Sequence, residues 1–255
     1  MKRSEYLARR RRARVAAMML FALIMGFVSA APPVVTGCQA QDLTPVPDTS
    51  VLSPALSVPV QAAPAAPVLP EKWVCLTFDD GPSKTTPDVL NALNAAGVHA
   101  TFFVVATGHN EKYLPLLTEA VSAGHQIALH SASHEYSDIY RSSEAYWADI
   151  ALLKERIAPY VDAESIRYLR FPGGSTNTVS RRYGGKGLMK QLKAEVEQKG
   201  WQWVDWNVCA EDAVGGHPNA DTIFRNVVRE TGQQTNCIVL MHDSAATRTN
   251  ADALP

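Results

Sequence analysis

Hydrophobic and polar positions alternate along residues 72–255 with two different periods. Short apolar runs rich in β-branched and aromatic residues predict six strands, at residues 73–78, 100–105, 126–130, 167–171, 201–208 and 237–242. Segments with helical spacing between these runs predict five helices, near residues 87–96, 113–123, 143–158, 187–199 and 220–231. Strands that alternate with helices pair in parallel through right-handed crossovers. The pattern therefore predicts an α/β fold, as either a (β/α) barrel or a doubly wound open sheet.

The N-terminus follows another pattern. Residues 1–14 have a net charge of +6, and residues 15–35 contain no charged side chain. A basic head followed by an apolar run is typical of a secretion signal or a membrane anchor, and it predicts an apolar helix within residues 1–35. We expect the rest of the chain to lie outside the cytoplasm, either secreted or held at the membrane by this segment. Cleavage near residues 28–30, lipidation of Cys38 and retention of the segment are the alternatives.

Residues 36–71 are rich in Pro and Ala, which predicts a disordered linker before a folded domain at residues 72–255. Removing the charge of residues 1–14 from the total of −1 leaves −7 for the rest of the chain. This acidic balance argues against a nucleic-acid partner, and nothing implies a protein partner. Cys75, Cys209 and Cys237 lack zinc-finger spacing, and either buried thiols or one disulfide among them fits the sequence.

The residues that carry chemistry cluster at strand ends. The first predicted strand is followed by Asp79 and Asp80, the third contains His130 and is followed by His134, and the sixth ends at His242. In both candidate architectures the loops at the carboxyl ends of the strands surround one pocket. We therefore expect these side chains to converge on one site.

Two of these groups together suggest a metal site. Adjacent carboxylates point in different directions, so Asp80 can bind a metal while Asp79 acts as a base on water; alone, the Asp-Asp-Gly-Pro sequence is equally typical of a turn. His130 and His134 are four residues apart, and on a helical turn this spacing places both imidazoles on one face. Isolated pairs of this kind are more often surface or core histidines. With one carboxylate they form a ligand set that leaves positions open for water and substrate.

Two further segments offer supporting groups. At the end of the fourth strand, Arg170 can hold a base carboxylate, and the following glycines let backbone N–H groups approach an oxyanion; the alternative is a simple Pro-Gly turn. In the predicted strand 201–208, Trp206 is either core or a platform for a sugar. Asp205 in this strand, or Asp212 beyond it, can raise the pKa of His242 and make it a general acid.

These segments resemble the five motifs of the polysaccharide deacetylase family (carbohydrate esterase family four, the NodB homology domain). The motifs are TFDDGP at 77–82, HSASH at 130–134, RFPGG at 170–174, DWNVCAED at 205–212 and LMH at 240–242. The resemblance spans residues 72–255 and is closest in motif style to bacterial peptidoglycan N-deacetylases. It implies a distorted (β/α) barrel of six to seven parallel strands. It also implies one divalent metal ion, usually zinc, with cobalt, nickel, manganese or iron as alternatives.

The resemblance also implies roles for individual residues. Asp79 is similar to the family's catalytic base, Arg170 to the arginine that orients the base, and His242 to the general acid. The implied metal ligands are Asp80, His130 and His134. The implied substrate-contacting residues are Pro172, Gly173, Trp206 and Leu240, with Leu240 shaping the pocket for the acetyl methyl group.

The motifs depart from the family pattern at two positions. Cys209 replaces the first aspartate of the fourth motif while Asp212 matches the second, which favours Asp212 over Asp205 as the partner of His242. Gly173 stands where many members carry tyrosine, so an oxyanion contact there is expected from the backbone. The family also usually continues beyond an ALP-like turn, whereas this sequence ends at residues 253–255. From this we expect a missing last helix and reduced stability.

The expected function is metal-dependent removal of N-acetyl groups from a cell-wall amino-sugar polymer, with peptidoglycan favoured. Chito-oligosaccharide and xylan are the alternative polymers. Non-haem iron oxygenases use the same ligand set, but Asp79 and His242 would have no role in one. A catalytically impaired protein that only binds the wall is the alternative from another class.

Overall fold

The computed structural model describes residues 72–214, 218–244 and 246–254. The predicted signal or anchor segment at 1–35, the linker at 36–71 and Cys38 lie outside these ranges. Within the ranges, no helix combines the length and the apolar character needed to cross a membrane. Cys75, Cys209 and Cys237 are free thiols in the structure, so the alternative of a disulfide among them is wrong.

Strands and helices alternate along the described chain. The strands are β1 Trp73–Asp79, β2 Thr101–Val105, β3 Gln126–Ser131, β4 Tyr168–Leu169, β5 Gln202–Trp203, β6 Val208–Cys209 and β7 Asn236–His242. The helices are α1 Thr86–Ala96, α2 Leu116–Ser122, α3 Tyr136–Ile139, α4 Ser143–Ile157, α5 Val179–Gly184, α6 Leu188–Gln198, α7 Ala220–Thr231 and α8 Thr249–Ala253. A 3₁₀ turn at Glu111–Tyr113 replaces the beginning of the predicted helix 113–123. The short helices α3, α5 and α8 were not predicted.

All seven strands are parallel, in the order β5-β4-β3-β2-β1-β7-β6. The longest pairing joins β1 to β7, from Trp73 opposite Asn236 to Asp79 opposite His242. The predicted parallel α/β fold is therefore confirmed, with a curled sheet of the barrel type. The carboxyl ends of β1 and β7 bring Asp79 and His242 side by side.

The predicted strand 201–208 is wrong, because the chain there forms two short strands at opposite edges of the sheet. Val204 N donates to Leu169 O on β4 (2.9 Å), and Asn207 N donates to Ile238 O on β7 (3.2 Å). The Asn207 side chain also accepts from Ile238 N (2.7 Å) and donates to Asn236 O (2.8 Å). β5 ends at Trp203, and the Asn207 side chain bonds to β7 directly before β6 begins at Val208. Residues 204–207 thus connect the two edges of the curled sheet.

Alternate residues of the strands face two different hydrophobic clusters. The larger cluster lies between the sheet and the helices and includes Phe78, Phe102, Leu129 and Val239. The smaller one lies on the other face of the sheet and consists of Phe103, Ala128, Val204 and Ile238. Because side chains alternate along a strand, Asp79, His130 and His242 belong to the face of the smaller cluster. This periodicity directs the candidate site residues to the barrel interior.

Candidate metal centre and active site

The loop after β1 carries the two adjacent carboxylates. Asp79 is the last residue of β1 and is buried, whereas Asp80 follows it with a φ of 70°, in the left-handed region. Such a backbone conformation is strained for a residue with a side chain and is common at functional sites. Gly81 is needed next, because a Cβ atom there would lie 2.5 Å from Asp243 Oδ2.

The prediction that His130 and His134 share a helical turn is wrong. His130 lies within β3, and His134 ends the following loop with a φ of 56°. The imidazoles still meet, with ring centroids 5.2 Å apart. The physical reason is Asp149 on α4, whose carboxylate accepts hydrogen bonds of 2.7–2.9 Å from Ser131 Oγ, Ala132 N, Ser133 N and Ser133 Oγ. Sequence reasoning missed Asp149, although it falls three residues after the buried Tyr146 on the face of α4 that packs inward.

Asp80, His130 and His134 offer three ligand atoms that lie within 4.8 Å of one another. Asp80 Oδ1 is 3.5 Å from His130 Nε2 and 3.3 Å from His134 Nε2. Despite these short separations, this buried oxygen has no hydrogen-bond partner among the described residues. A buried carboxylate oxygen between two imidazole nitrogens, without a proton donor, fits a metal ligand better than an ion pair.

The protonation state of the His130 ring is also the one that a metal ligand needs. Its Nδ1 is 2.7 Å from Arg170 O, and a carbonyl oxygen can only accept, so Nδ1 carries the proton. The lone pair of Nε2 therefore faces Asp80, in the arrangement that holds histidine ligands in metal sites. Burial lowers the pKa of His130 to about 3, so the ring is neutral, as a ligand must be.

Arg170 orients Asp79 from the barrel interior. The fully buried guanidinium lies 4.0 Å from the Phe103 ring, and its Nη1 donates to Asp79 Oδ1 (2.7 Å) and to Thr77 Oγ1 (2.9 Å). The other carboxylate oxygen, Oδ2, is 3.8 Å from His130 Nε2. Burial raises the pKa of Asp79, although the charge of Arg170 opposes the shift. One oxygen is thus held by Arg170, and the other points toward the candidate metal position.

His242 pairs with Asp212. The two candidate partners differ clearly, because His242 Nδ1 is 3.0 Å from Asp212 Oδ1, whereas Asp205 accepts from Ser175 N (2.8 Å) and Ser175 Oγ (2.6 Å). Asp212 Oδ2 accepts from His242 N (2.8 Å) and from Asn250 Nδ2, a contact that sequence reasoning missed. Burial lowers the pKa of His242, but the hydrogen bond and charge of Asp212 outweigh it and raise the pKa to about 9.

The turn after β4 lies beside these groups. Pro172 is buried and its carbonyl accepts from Tyr140 Oη (2.8 Å), whereas Gly173 is exposed with a φ of 77°. A Cβ atom on Gly174 would lie 2.9 Å from the Trp206 ring, so glycine is required where Trp206 packs on the turn. Trp206 is half-buried, and its ring centre lies 5.5 Å from the Arg170 guanidinium.

The remaining predicted substrate contact lies on β7. Leu240 is buried opposite Thr77 of β1, two residues before His242. Strand alternation therefore places Leu240 on the same face of the sheet as His242. The structure thus gathers every predicted site residue at one end of the barrel.

The fold and the site together define a parallel α/β barrel with a candidate metal centre at its strand ends. The cluster of Asp80, His130 and His134 lies at these strand ends. Beside it are Asp79, which is bonded to Arg170, and His242, which is bonded to Asp212. A family model described as polysaccharide deacetylase matches residues 67–210. The chain therefore belongs to the polysaccharide deacetylase family.

Individual relatives agree with this membership. The chain is 31% identical to a peptidoglycan-N-acetylglucosamine deacetylase of Bacillus cereus over 68% of its own length and 60% of that protein. It is 31% identical to a chitooligosaccharide deacetylase of Bradyrhizobium, over 67% of this chain and 70% of that protein. The catalytic domain of a peptidoglycan N-acetylglucosamine deacetylase from Eubacterium rectale matches with a TM-score of 0.67 and 36% identity, covering 71% of this chain and 80% of that domain.

Proposed function

We propose that the protein removes N-acetyl groups from a cell-wall amino-sugar polymer, with peptidoglycan as the favoured substrate. The observation that carries this proposal is the cluster of Asp80, His130 and His134 with Asp79 and His242 beside it. A base and an acid around one metal position are what amide hydrolysis requires. The names of the relatives support an N-acetylated sugar polymer as the substrate class.

The three clustered side chains are proposed to hold one divalent ion, with zinc favoured. An ion bound there supplies a Lewis acid that polarises a carbonyl group and lowers the pKa of water. The exposed Gly173 has a φ of 77°, and its backbone N–H is proposed to donate to the acetyl oxygen. Leu240 and Trp206 are proposed to contact the acetyl group and the sugar.

The proton transfers are assigned to Asp79 and His242. Asp79, held by Arg170, takes a proton from water as the water oxygen forms a bond to the acetyl carbon. His242, whose Nδ1–H points to Asp212, gives its other proton to the amine nitrogen as the C–N bond breaks. The products are acetate and a polymer with a free amino group.

Location is proposed from the sequence alone. Residues 1–35 are proposed to export the chain and, if retained, to hold it at the membrane, with residues 36–71 as a linker to the catalytic domain. A position outside the cytoplasm brings the active site to the wall polymer, which is the substrate we favour.

The substrate is tested by offering the zinc-loaded protein three polymers: purified peptidoglycan, chito-oligosaccharide and acetylated xylan. We expect acetate release with formation of free amino sugar from peptidoglycan at the highest kcat/KM. Faster turnover of chito-oligosaccharide would favour the specificity of the Bradyrhizobium relative, and acetate from xylan alone would favour an esterase. Binding to the wall without acetate from any polymer would overturn the proposed activity.

A further inference from the structure

Two tyrosines of the short helix α3 differ in how their hydroxyl groups are used. Tyr136 begins α3 and Tyr140 follows it by one turn, with ring centroids 6.1 Å apart and planes 12° from parallel. Tyr140 is fully buried, and its hydroxyl donates to Pro172 O at 2.8 Å. Tyr136 is half-buried, and its hydroxyl makes no hydrogen bond with any residue in the described part of the chain. The hydroxyl of Tyr136 is therefore not needed to hold the fold.

The Tyr136 hydroxyl lies between the metal cluster and the turn after β4. Its ring is 5.4 Å from the ring of His134, centroid to centroid. Its Oη is 3.4 Å from the position that a Cβ atom on Gly173 would take. Gly173 itself presents no side chain, and its φ of 77° disfavours one. Tyr136 thus supplies a side-chain hydroxyl beside this turn.

We propose that Tyr136 is a substrate-binding residue whose hydroxyl donates a hydrogen bond to an oxygen of the N-acetylated sugar. This inference rests on the proposed function, because the sugar is the ligand that the site would hold. The ring is already fixed between His134 and Tyr140, so little side-chain freedom is lost when a ligand binds. A sugar oxygen at this position replaces water as the partner of the hydroxyl.

Tyr136→Phe tests the inference, because it removes the hydroxyl and keeps the stacked ring. The probe is the tetramer of N-acetylglucosamine, whose Kd is measured by calorimetry with zinc-loaded protein carrying Asp79→Asn to prevent turnover. kcat and KM are measured on the same tetramer without Asp79→Asn. We expect Tyr136→Phe to raise Kd and KM about three- to tenfold, the usual effect of losing one hydrogen bond. We expect kcat, zinc content and Tm to stay unchanged.

Two control variants accompany this test. Tyr183→Phe removes a hydroxyl from a side chain that is 40% exposed on α5, and it should leave Kd unchanged. Tyr140→Phe removes the bond to Pro172 O and should lower Tm, because that hydroxyl is part of the fold.

The outcomes separate this inference from the proposed function. An unchanged Kd in Tyr136→Phe, an equal change in Tyr183→Phe, or loss of zinc from Tyr136→Phe overturns the role of the Tyr136 hydroxyl while acetate release continues. A fall in kcat with constant Kd and KM also overturns a binding role. A raised Kd in Tyr136→Phe supports the inference even if the protein without substitutions releases no acetate from any polymer. That second result would refute the proposed activity alone. Failure of the Asp79→Asn protein to bind the tetramer overturns the inference, whereas the proposed activity is judged by acetate release from peptidoglycan.

Discussion

At the scale of single residues, the site depends on carboxylates whose two oxygens serve different partners. Asp79 gives one oxygen to Arg170 and turns the other toward His130. Asp212 gives one oxygen to the ring of His242 and the other to its main chain. Arg170 therefore fixes the orientation of Asp79, whereas Asp212 fixes the position of His242 and raises its pKa. Replacing either aspartate by asparagine keeps its shape and removes its charge.

Asp79 and Asp80 are adjacent, yet their substitution should have different effects. Asp80→Ala should abolish metal binding, since it leaves two imidazole ligands in the cluster. Asp79→Asn should retain the metal and lower kcat by about 10²- to 10⁴-fold, the usual contribution of a general base. Metal content and kcat are measured on the same preparations. Equal metal loss in both variants would contradict the assigned roles.

Asp212→Asn should shift the pH profile in a known direction. The pKa of His242 is raised to about 9, so the ring is protonated at neutral pH and loses its proton as the pH rises through that value. Without the charge of Asp212, burial lowers this pKa, and the basic limb of kcat/KM should move down by about one pH unit or more. Asp205→Asn is the matched control, because that carboxylate binds Ser175. A limb that stays in place in Asp212→Asn would show that His242 is not the titrating acid.

At the scale of elements, the loops after β1 and β3 hold strained residues at the metal cluster. Asp80 and His134 both have positive φ, which costs on the order of 1–3 kcal/mol each unless the surroundings compensate. In the loop after β3 the strain is compensated by the hydrogen bonds that Asp149 accepts. Asp149 lies 18 residues beyond Ser131 along the chain. The spacing of the two histidines predicted their contact but not this loop. Because Asp149 is distant from this loop along the chain, no local sequence pattern predicts their hydrogen bonds.

Asp149→Asn tests the support given to this loop. The amide keeps the size of the side chain, but its NH₂ group cannot accept from the backbone and serine donors that meet both carboxylate oxygens. We expect metal affinity to fall by about 10- to 100-fold, as for other residues that position ligands, and Tm to fall as well. Glu155→Gln, on the exposed face of the same helix, is the control and should change neither. Unchanged zinc affinity in Asp149→Asn would refute this role.

At the scale of the whole molecule, the alternation of strands and helices could be predicted from the sequence. The longer strands are short apolar runs, whereas the longer helices carry apolar residues with helical spacing. Convergence of the site followed from parallel pairing, since all strand ends then lie on one side. The crossing of residues 204–207 from one edge of the sheet to the other was not readable. The strand-like pattern continues through these residues, whereas in the structure Val204 bonds to β4 and Asn207 bonds to β7 at the opposite edge.

Metal binding should stabilise the whole domain, because the candidate ligands come from the loop after β1, from β3 and from the loop after β3. His130 is also hydrogen-bonded to Arg170 O, directly after β4. A ligand that binds only the folded state at a hundred times its Kd contributes about 2.7 kcal/mol. For a domain of this size that corresponds to roughly 5–10 °C in Tm. Removing zinc with a chelator should lower Tm by this amount, and adding zinc back should restore it. Asp80→Ala should show no such difference, so an equal drop in that variant would mean that the stabilising ion binds elsewhere.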